Sequence, residues 1–161
     1  MSNISKNQIA LAGEFAVLSQ LAMYGFDANL TLGNTKSVDI LVSHPETGAM
    51  RRLEVKTTSN LKTYENKNSG TVEGQWRMSK KHETIRDKNL FYCFVGMTDH
   101  NTGFKFYVVP SKVVADFVTK SHQYWLESKS SRKDNPMRLF QIGQSGRQHE
   151  VKLPLATKYE N

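Results

Sequence analysis

Apolar residues recur at helical spacing along the first segment of the chain, residues 5–24. The repeated positions lie two to four residues apart: Ile9, Ala12, Ala16, Leu18 and Leu21. This spacing is typical of an α-helix that buries one face. Ser5 is a suitable N-cap residue, and Gly25 is well placed to end the helix. The pattern therefore predicts a first helix over residues 5–24.

Three extended segments follow, at residues 27–32, 37–43 and 50–57. Apolar and polar side chains alternate in the second and third, as they do in strands with one buried face. Residues 44–48, His-Pro-Glu-Thr-Gly, are a turn signal between those two segments. The second and third segments are therefore predicted to form a hairpin.

The rest of the chain predicts further helices and strands separated by polar segments. They are a surface loop at 59–74, a helix from Ser79 to about 87, strands at 90–97 and 104–109, a helix from Pro110 to about 126, a charged loop at 127–136 and one or two weak strands after it. This order predicts an α/β domain with a mixed sheet flanked by helices. We find no internal repeat, so residues 1–161 are predicted to form a single domain.

Composition and charge narrow the class of protein. Hydrophobic residues make up 38% and charged residues 23% of the chain, which is typical of a globular protein. No apolar run is long enough to span a bilayer, and no secretory signal is recognisable. The lone Cys93 lies in an apolar stretch, so we expect a core residue in a reducing, cytoplasmic compartment. Lys and Arg exceed Asp and Glu by 22 to 15, which favours a polyanionic partner.

The hairpin predicts an unusual pair of carboxylates. With a turn at residues 45–48, Ile40 faces Leu53 and Asp39 faces Glu54. Two like charges side by side cost stability, and a divalent cation between them removes that cost. Carboxylate oxygens suit Mg²⁺ or Mn²⁺. Asp39 and Glu54 are therefore candidate metal ligands.

Lys56 completes a set of residues suited to phosphodiester hydrolysis. It lies two positions after Glu54 and so projects from the same face of the strand. An ammonium there can orient an attacking water or stabilise charge on a phosphate. The alternative is a polar strand face that serves only solubility. Both carboxylates lie within apolar strands, where an unpaired charge is expensive, and this favours the functional interpretation.

Three short motifs together resemble the PD-(D/E)XK nuclease superfamily. They are GEF at 13–15, VDI at 38–40 and LEVKTT at 53–58, all within about the first 60 residues. The superfamily includes many restriction enzymes, archaeal Holliday junction resolvases and some homing endonucleases. Val38 stands where the name-giving motif has proline. The resemblance implies a restriction-endonuclease-like fold and a DNA endonuclease. Double-stranded ends, branched junctions and specific sites all stay open as its substrate.

The same resemblance implies a role for each site residue. Asp39 and Glu54 hold the Mg²⁺, for which Mn²⁺ substitutes, together with the backbone carbonyl of Val55. Lys56 serves the nucleophilic water, and Glu14 contacts the metal directly or through water. Cutting both strands of DNA further implies a homodimer.

Basic and hydroxyl residues after the third strand are candidates for binding nucleic acid. They are Thr57, Thr58, Lys62, Arg77, Lys80, Lys81 and His82. Two other functions stay open at this stage. One is a catalytically inactive nucleic-acid-binding module of the same fold, and the other is an interaction protein that binds an acidic protein surface.

Overall fold

The computed structural model describes residues 4–31, 37–59, 61, 63–66, 70–98 and 103–143. Within these ranges the chain forms two α-helices and eight β-strands. In chain order they are α1 (Lys6–Met23), β1 (Asp27–Leu30), β2 (Ile40–Ser43), β3 (Met50–Thr58), β4 (Tyr64–Asn66), β5 (Gly70–Ser79), β6 (Leu90–Thr98), β7 (Gly103–Pro110), α2 (Ser111–Glu127) and β8 (Met137–Gly143). One turn of 3-10 helix, Lys80–Glu83, joins β5 to β6.

The first sheet has the strand order β1-β2-β3-β6-β7. β3 and β6 pair in parallel, whereas the other neighbouring strands pair antiparallel. A parallel pair needs a crossover connection, and here β4, β5 and the 3-10 turn provide it. The predicted α/β class with a mixed sheet and flanking helices is therefore confirmed.

The first sheet is apolar on both faces, because alternate side chains of β6 pack into two different cores. Cys93 and Val95 pack with Val17 of α1 on one face. Tyr92 and Phe94 pack on the other face with residues of α2, β5 and β8. Cys93 is buried, as predicted for a core residue, and burial raises the pKa of its thiol to about 12. The carboxyl end of β3 therefore has α1 on one face of the sheet and the 3-10 turn on the other.

The two α-helices agree with the sequence prediction. Ser5 caps α1 in a capping box, in which Ser5 Oγ accepts from the Gln8 N–H and Gln8 Oε1 accepts from the Ser5 N–H. Gly25 follows the end of α1 with φ +78°, the left-handed conformation that favours glycine. Helix α2 starts directly after Pro110. Neither described helix combines the length and apolarity needed to cross a bilayer.

The segment between β3 and β6 differs from the prediction. Residues 59–74 were expected as a loop, yet β4 and the start of β5 lie there and form a second, three-stranded sheet with β8 in the order β4-β5-β8. The buried residues Val72, Trp76 and Met78 alternate with polar ones along β5. The helix expected from Ser79 to about 87 is only the single 3-10 turn. The segment that joins the strands predicted at 90–97 and 104–109 lies largely outside the described residues.

Candidate active site

The hairpin of β2 and β3 has the predicted register, with Ile40 opposite Leu53. Asp39 lies one residue before β2, where the ladder becomes irregular. Its N–H donates to the Leu53 carbonyl at 2.8 Å, and its Oδ2 accepts from the Val55 N–H at 2.7 Å. Asp39 Oδ1 has no hydrogen-bond partner among the described residues. The Asp39 carboxylate is therefore fixed to the strand that carries Glu54, with one oxygen available.

Glu54 is the buried acid of the site, with only 2% of its surface exposed. Its Oε1 lies 2.7 Å from Lys56 Nζ, 3.1 Å from His82 Nε2 and 3.9 Å from Lys81 Nζ. Its Oε2 is buried and has no hydrogen-bond partner among the described residues. The two oxygens thus differ, since one is surrounded by donors and the other is unpartnered.

Glu54 is held as an anion despite its burial. Burial raises the pKa of a carboxyl group because it disfavours the charged form. The hydrogen bond from His82 and the charge of Lys56 outweigh that effect and lower the Glu54 pKa to about 2. Lys56 lies two residues along the same strand, as strand geometry predicts. The buried Glu54 therefore forms an ion pair with the partly exposed Lys56.

His82 is 3% exposed and links the 3-10 turn to Glu54. Its Nδ1 lies 3.1 Å from the backbone N and 2.9 Å from the backbone O of Ser79. In the neutral ring, Nδ1 accepts from the Ser79 N–H and Nε2 carries the proton; in the imidazolium, both nitrogens carry protons. Either way Nε2–H donates to Glu54 Oε1. This buried placement revises the expectation that His82 contacts nucleic acid directly.

Tyr92 is a neighbour of Glu54 that the motifs do not identify. It lies opposite Glu54 in the β3–β6 pairing, and its ring contacts the His82 ring edge-on at 5.7 Å. The pKa of its buried hydroxyl is raised by burial, by the charge on Glu54 and by the proximity of the Glu54 carboxylate as a hydrogen-bond acceptor, although the two groups do not meet in hydrogen-bond geometry. The only signal in the sequence is a polar ring within an apolar strand, which is also common in ordinary cores.

Glu14 brings a third carboxylate close to the pair. Partial burial and the charge of Asp39 raise the Glu14 pKa, while the charge of Lys56 opposes this shift. These electrostatic neighbours place Glu14 of α1 beside the ends of β2 and β3. The structure thus brings together Asp39, Glu54, Lys56 and Glu14, which lie up to 42 positions apart in the sequence (56 minus 14).

The other predicted nucleic-acid contacts lie in different surroundings. Lys81 and Arg77 are exposed. Lys80 is paired with Asp134 at 2.7 Å. Lys62 lies outside the described residues.

Thr57 and Thr58 end β3. Thr57 packs against α1 at Gly13, and its Oγ1 is buried without a hydrogen-bond partner among the described residues. Thr58 is half-buried. An enclosed hydroxyl does not favour the phosphate contact expected of Thr57. From outside the strand, Lys81 places its Nζ 3.9 Å from Glu54 Oε1.

The donor set fits a hydrated divalent cation better than a complete protein cage. Among the described residues, no three His, Cys, Asp or Glu side chains are grouped so that they could hold a metal. Mg²⁺ does not require such a group, because it keeps several waters and binds through one or two carboxylates and substrate phosphate. The unpartnered Glu54 Oε2 and the available Asp39 Oδ1 are oxygen donors of this kind. The Val55 peptide lies beside them through its N–H bond to Asp39.

Comparisons with known proteins identify a shared fold. No protein-family model matches the chain, and no curated protein matches it significantly. Among solved structures it is similar to a bacterial homing endonuclease, I-Ssp6803I, with a TM-score of 0.52 and 14% sequence identity. The match covers 97% of this chain and 88% of that one. The chain therefore has the mixed α/β fold of that endonuclease, and at this identity the likeness concerns the fold alone.

Proposed function

We propose that this protein is a Mg²⁺-dependent DNA endonuclease of the PD-(D/E)XK type, with a restriction-endonuclease-like fold. The observation that carries the proposal is the ion pair between the buried Glu54 carboxylate and Lys56 on the same strand. Asp39 accepts a hydrogen bond from the N–H of Val55, the residue between them. Two acids and a lysine held together by β3 and the residue that precedes β2 are suited to phosphodiester hydrolysis. The fold shared with a homing endonuclease supports DNA as the substrate.

Each residue has a distinct part in the proposed reaction. Asp39 Oδ1 and Glu54 Oε2 would hold the divalent cation, with the Val55 carbonyl beside them. The cation supplies Lewis acidity, which activates water and neutralises phosphate charge. Lys56 orients the attacking water and stabilises negative charge on the phosphate. Glu14, with its raised pKa, contributes a further oxygen at the edge of the site.

His82 positions the Glu54 carboxylate by donating a hydrogen bond to its Oε1. With Lys56 it holds the carboxylate ionised and turned so that Oε2 is left for the cation. Lys81 and Arg77 are exposed cations available to phosphates of the DNA backbone. The excess of seven positive charges supports the same partner.

A catalytically inactive DNA-binding module is the second candidate. It is favoured by the crowding of Glu54 Oε1, where Lys56, Lys81 and His82 already neutralise the acid without any metal. Such a module binds DNA with strong salt dependence, and metal does not alter the binding. Cleavage assays separate the two candidates directly.

The test is cleavage of supercoiled, linear and branched DNA with Mg²⁺, Mn²⁺ or EDTA. We expect cleavage with either metal, none with EDTA, and a loss of at least a hundredfold in Glu54→Gln and Lys56→Met, the order found when one charge-stabilising group is removed. Lys120→Met removes an exposed lysine from α2 and is the matched control, which should keep its activity. Tight, salt-sensitive binding without cleavage of any substrate would favour the inactive module.

A homodimer belongs to the same proposal, because one site cuts only one strand in a single encounter. Light scattering during size-exclusion chromatography should give twice the 18.3 kDa mass of the chain. A monomer that only nicks supercoiled DNA would contradict this part of the proposal and leave the endonuclease intact.

A further inference from the structure

A pocket of about 320 Å³ lies between the second sheet and the C-terminal end of α2. Its walls come from β4, β5, β8, α2 and the segment after α2. None of its lining residues belongs to the carboxylate site. Its volume lies at the lower end of the range for small-molecule pockets, roughly 300–1,000 Å³. The pocket therefore suits a ligand the size of one nucleoside.

The lining combines aromatic rings, amides and cations. The Tyr64 and Trp125 side chains remain 39% and 37% exposed. Gln75 and Gln141 provide amides, and Arg132 provides an accessible guanidinium, whereas no lining residue is Asp or Glu. Asp134 lies behind this lining, where it pairs with His122 and Arg138. Planar rings and the Arg132 guanidinium favour a ligand that is flat and negatively charged.

The two glutamine amides are held in fixed positions. Gln75 Oε1 accepts from Tyr64 Oη and from Gln141 Nε2, each at 2.9 Å, and Gln141 Nε2 also donates to Tyr64 Oη at 3.1 Å. Gln75 Nε2 and Gln141 Oε1 remain without a partner among the described residues. Gln75 and Gln141 lie opposite each other in the β5–β8 pairing, so a donor and an acceptor on neighbouring side chains are available to the acceptor and donor on the edge of a nucleobase.

Arg132 lines the same pocket as this pair of amides. Its guanidinium carbon lies 4.8 Å from the centre of the Trp125 ring, and its Nη1 donates to the Trp125 carbonyl and to Ser128 Oγ. Its Nε and Nη2 have no partner among the described residues. A guanidinium with these two donors left can bind a phosphate, and its plane can also stack on a base.

We propose that this pocket binds one unstacked nucleobase of the DNA substrate, with the adjacent phosphate on Arg132. The inference rests on the proposed function, because the nucleobase comes from the DNA substrate. The substrate is then DNA that contains an unpaired nucleotide. The base stacks against Tyr64 and lies beside Trp125, whose ring is already stacked with His122 and covered by the Arg132 guanidinium, while the amides of Gln75 and Gln141 bind its edge. A fully paired duplex offers no such base without first being unstacked.

The test measures binding in EDTA, so that no cleavage occurs. The probes are a duplex with one unpaired 2-aminopurine nucleotide, the same duplex fully paired, and free deoxyadenosine monophosphate. Affinity is followed by anisotropy. Stacking in the pocket is followed by quenching of tryptophan fluorescence, which reports on Trp125 because Trp76 is buried.

We expect the wild-type protein to bind the duplex with the unpaired nucleotide about tenfold more tightly than the paired one, the size typical of one stacked base. Tyr64→Ala and Gln141→Leu should each reduce that preference to near unity, with melting temperatures close to that of the wild type. Lys112→Met, which removes an exposed cation from the start of α2, should leave it unchanged. Equal affinity for both duplexes, or a preference that survives both pocket variants, overturns the proposal. Equally tight binding of the free nucleotide overturns the assignment to DNA.

The two proposals fail independently. A loss of selectivity with cleavage intact would overturn the nucleobase pocket alone. Selective binding that persists in EDTA, in a protein that cleaves nothing with any metal, supports the pocket and overturns the endonuclease.

Discussion

Gly13 of α1 lies directly against the side chain of Thr57 on β3, so closely that a Cβ atom on Gly13 would stand 1.9 Å from Thr57 Oγ1. This close approach brings the following residue, Glu14, beside the end of the strand that carries Glu54 and Lys56. Only a glycine allows it, because any larger residue would hold the helix away from the sheet.

We predict that Gly13→Ala lowers both stability and cleavage. Alanine favours a helix by about 1 kcal/mol, but overpacking costs about 1–3 kcal/mol. The net loss of stability should be about 1 kcal/mol, because α1 must shift away from β3. Urea unfolding measures the stability, and the cleavage rate reports on the displacement of Glu14.

The double variant Gly13→Ala/Thr57→Ala is the control for this prediction. Thr57 Oγ1 has no hydrogen-bond partner among the described residues, so its removal alone should cost little. The double variant should recover part of the stability lost by Gly13→Ala. Strict additivity of the two changes would contradict the close contact.

His82 gives a second prediction, for a residue that positions Glu54. His82→Ala removes the donor to Oε1, which leaves the carboxylate less well oriented, and the cleavage rate should fall about 10–100-fold, the range found for residues that orient metal ligands. His82→Gln retains an N–H donor and should recover part of the rate. The fall should be in kcat, with little change in KM for DNA.

His44→Ala is the matched control, because His44 lies in the turn between β2 and β3. Its activity should equal that of the wild type. A mainly KM effect in His82→Ala would mean that this histidine contacts DNA instead of orienting Glu54.

The parts of the structure that could be predicted are those with local signals. The β2–β3 register follows from the alternation around Ile40 and Leu53 and from the turn between the strands. Helix α1 has both its capping residue and its terminal glycine in the sequence. These signals also place Asp39, Glu54 and Lys56 on neighbouring strands.

The parts that could not be predicted depend on distant partners. Trp76 of β5 is buried because it packs against Phe94 and Tyr107 of the first sheet, and Phe140 of β8, which pairs with it, comes 64 positions later in the chain (140 minus 76). The polar residues between the buried ones made this segment resemble a loop, although the alternation of apolar and polar residues from Val72 to Met78 is typical of a strand. The bond between His82 and Glu54 had no periodic pattern to reveal it, since it depends on how the 3-10 turn packs.

Acid stability should depend on Glu54. Its folded pKa of about 2 lies below the usual 4.5, so its contribution is fully present above pH 4.5 and is lost as the pH falls towards 2. We predict that the stability of the wild type falls more steeply than that of Glu54→Gln between pH 5 and pH 2. Urea midpoints measured across this range test the difference.

Glu46→Gln controls for the loss of a carboxyl group at an exposed turn position. Its pH profile should parallel that of the wild type. Parallel profiles for the wild type and Glu54→Gln would mean that the ion pair with Lys56 does not contribute to folding stability.

Asp39→Asn should stabilise the metal-free protein. Burial raises the Glu14 pKa and the charge of Asp39 raises it further, as expected of two carboxylates that repel each other. Asparagine retains a carbonyl oxygen that can accept from the Val55 N–H, so the change removes the charge and keeps the bond. If the repulsion is about 1 kcal/mol, the melting temperature in EDTA should rise by about 2–4 °C.

Metal should reverse the order of the melting temperatures of the wild type and Asp39→Asn. A cation that binds only the folded state stabilises it by about 2.7 kcal/mol at one hundred times its dissociation constant. Mg²⁺ should therefore raise the melting temperature of the wild type and have a much smaller effect on Asp39→Asn, which lacks one ligand charge. Asp27→Asn, at an exposed position of β1, should respond to Mg²⁺ as the wild type does. An unchanged or lower melting temperature of Asp39→Asn in EDTA would show that the carboxylates do not repel, and the same Mg²⁺ response in both proteins would place the cation elsewhere.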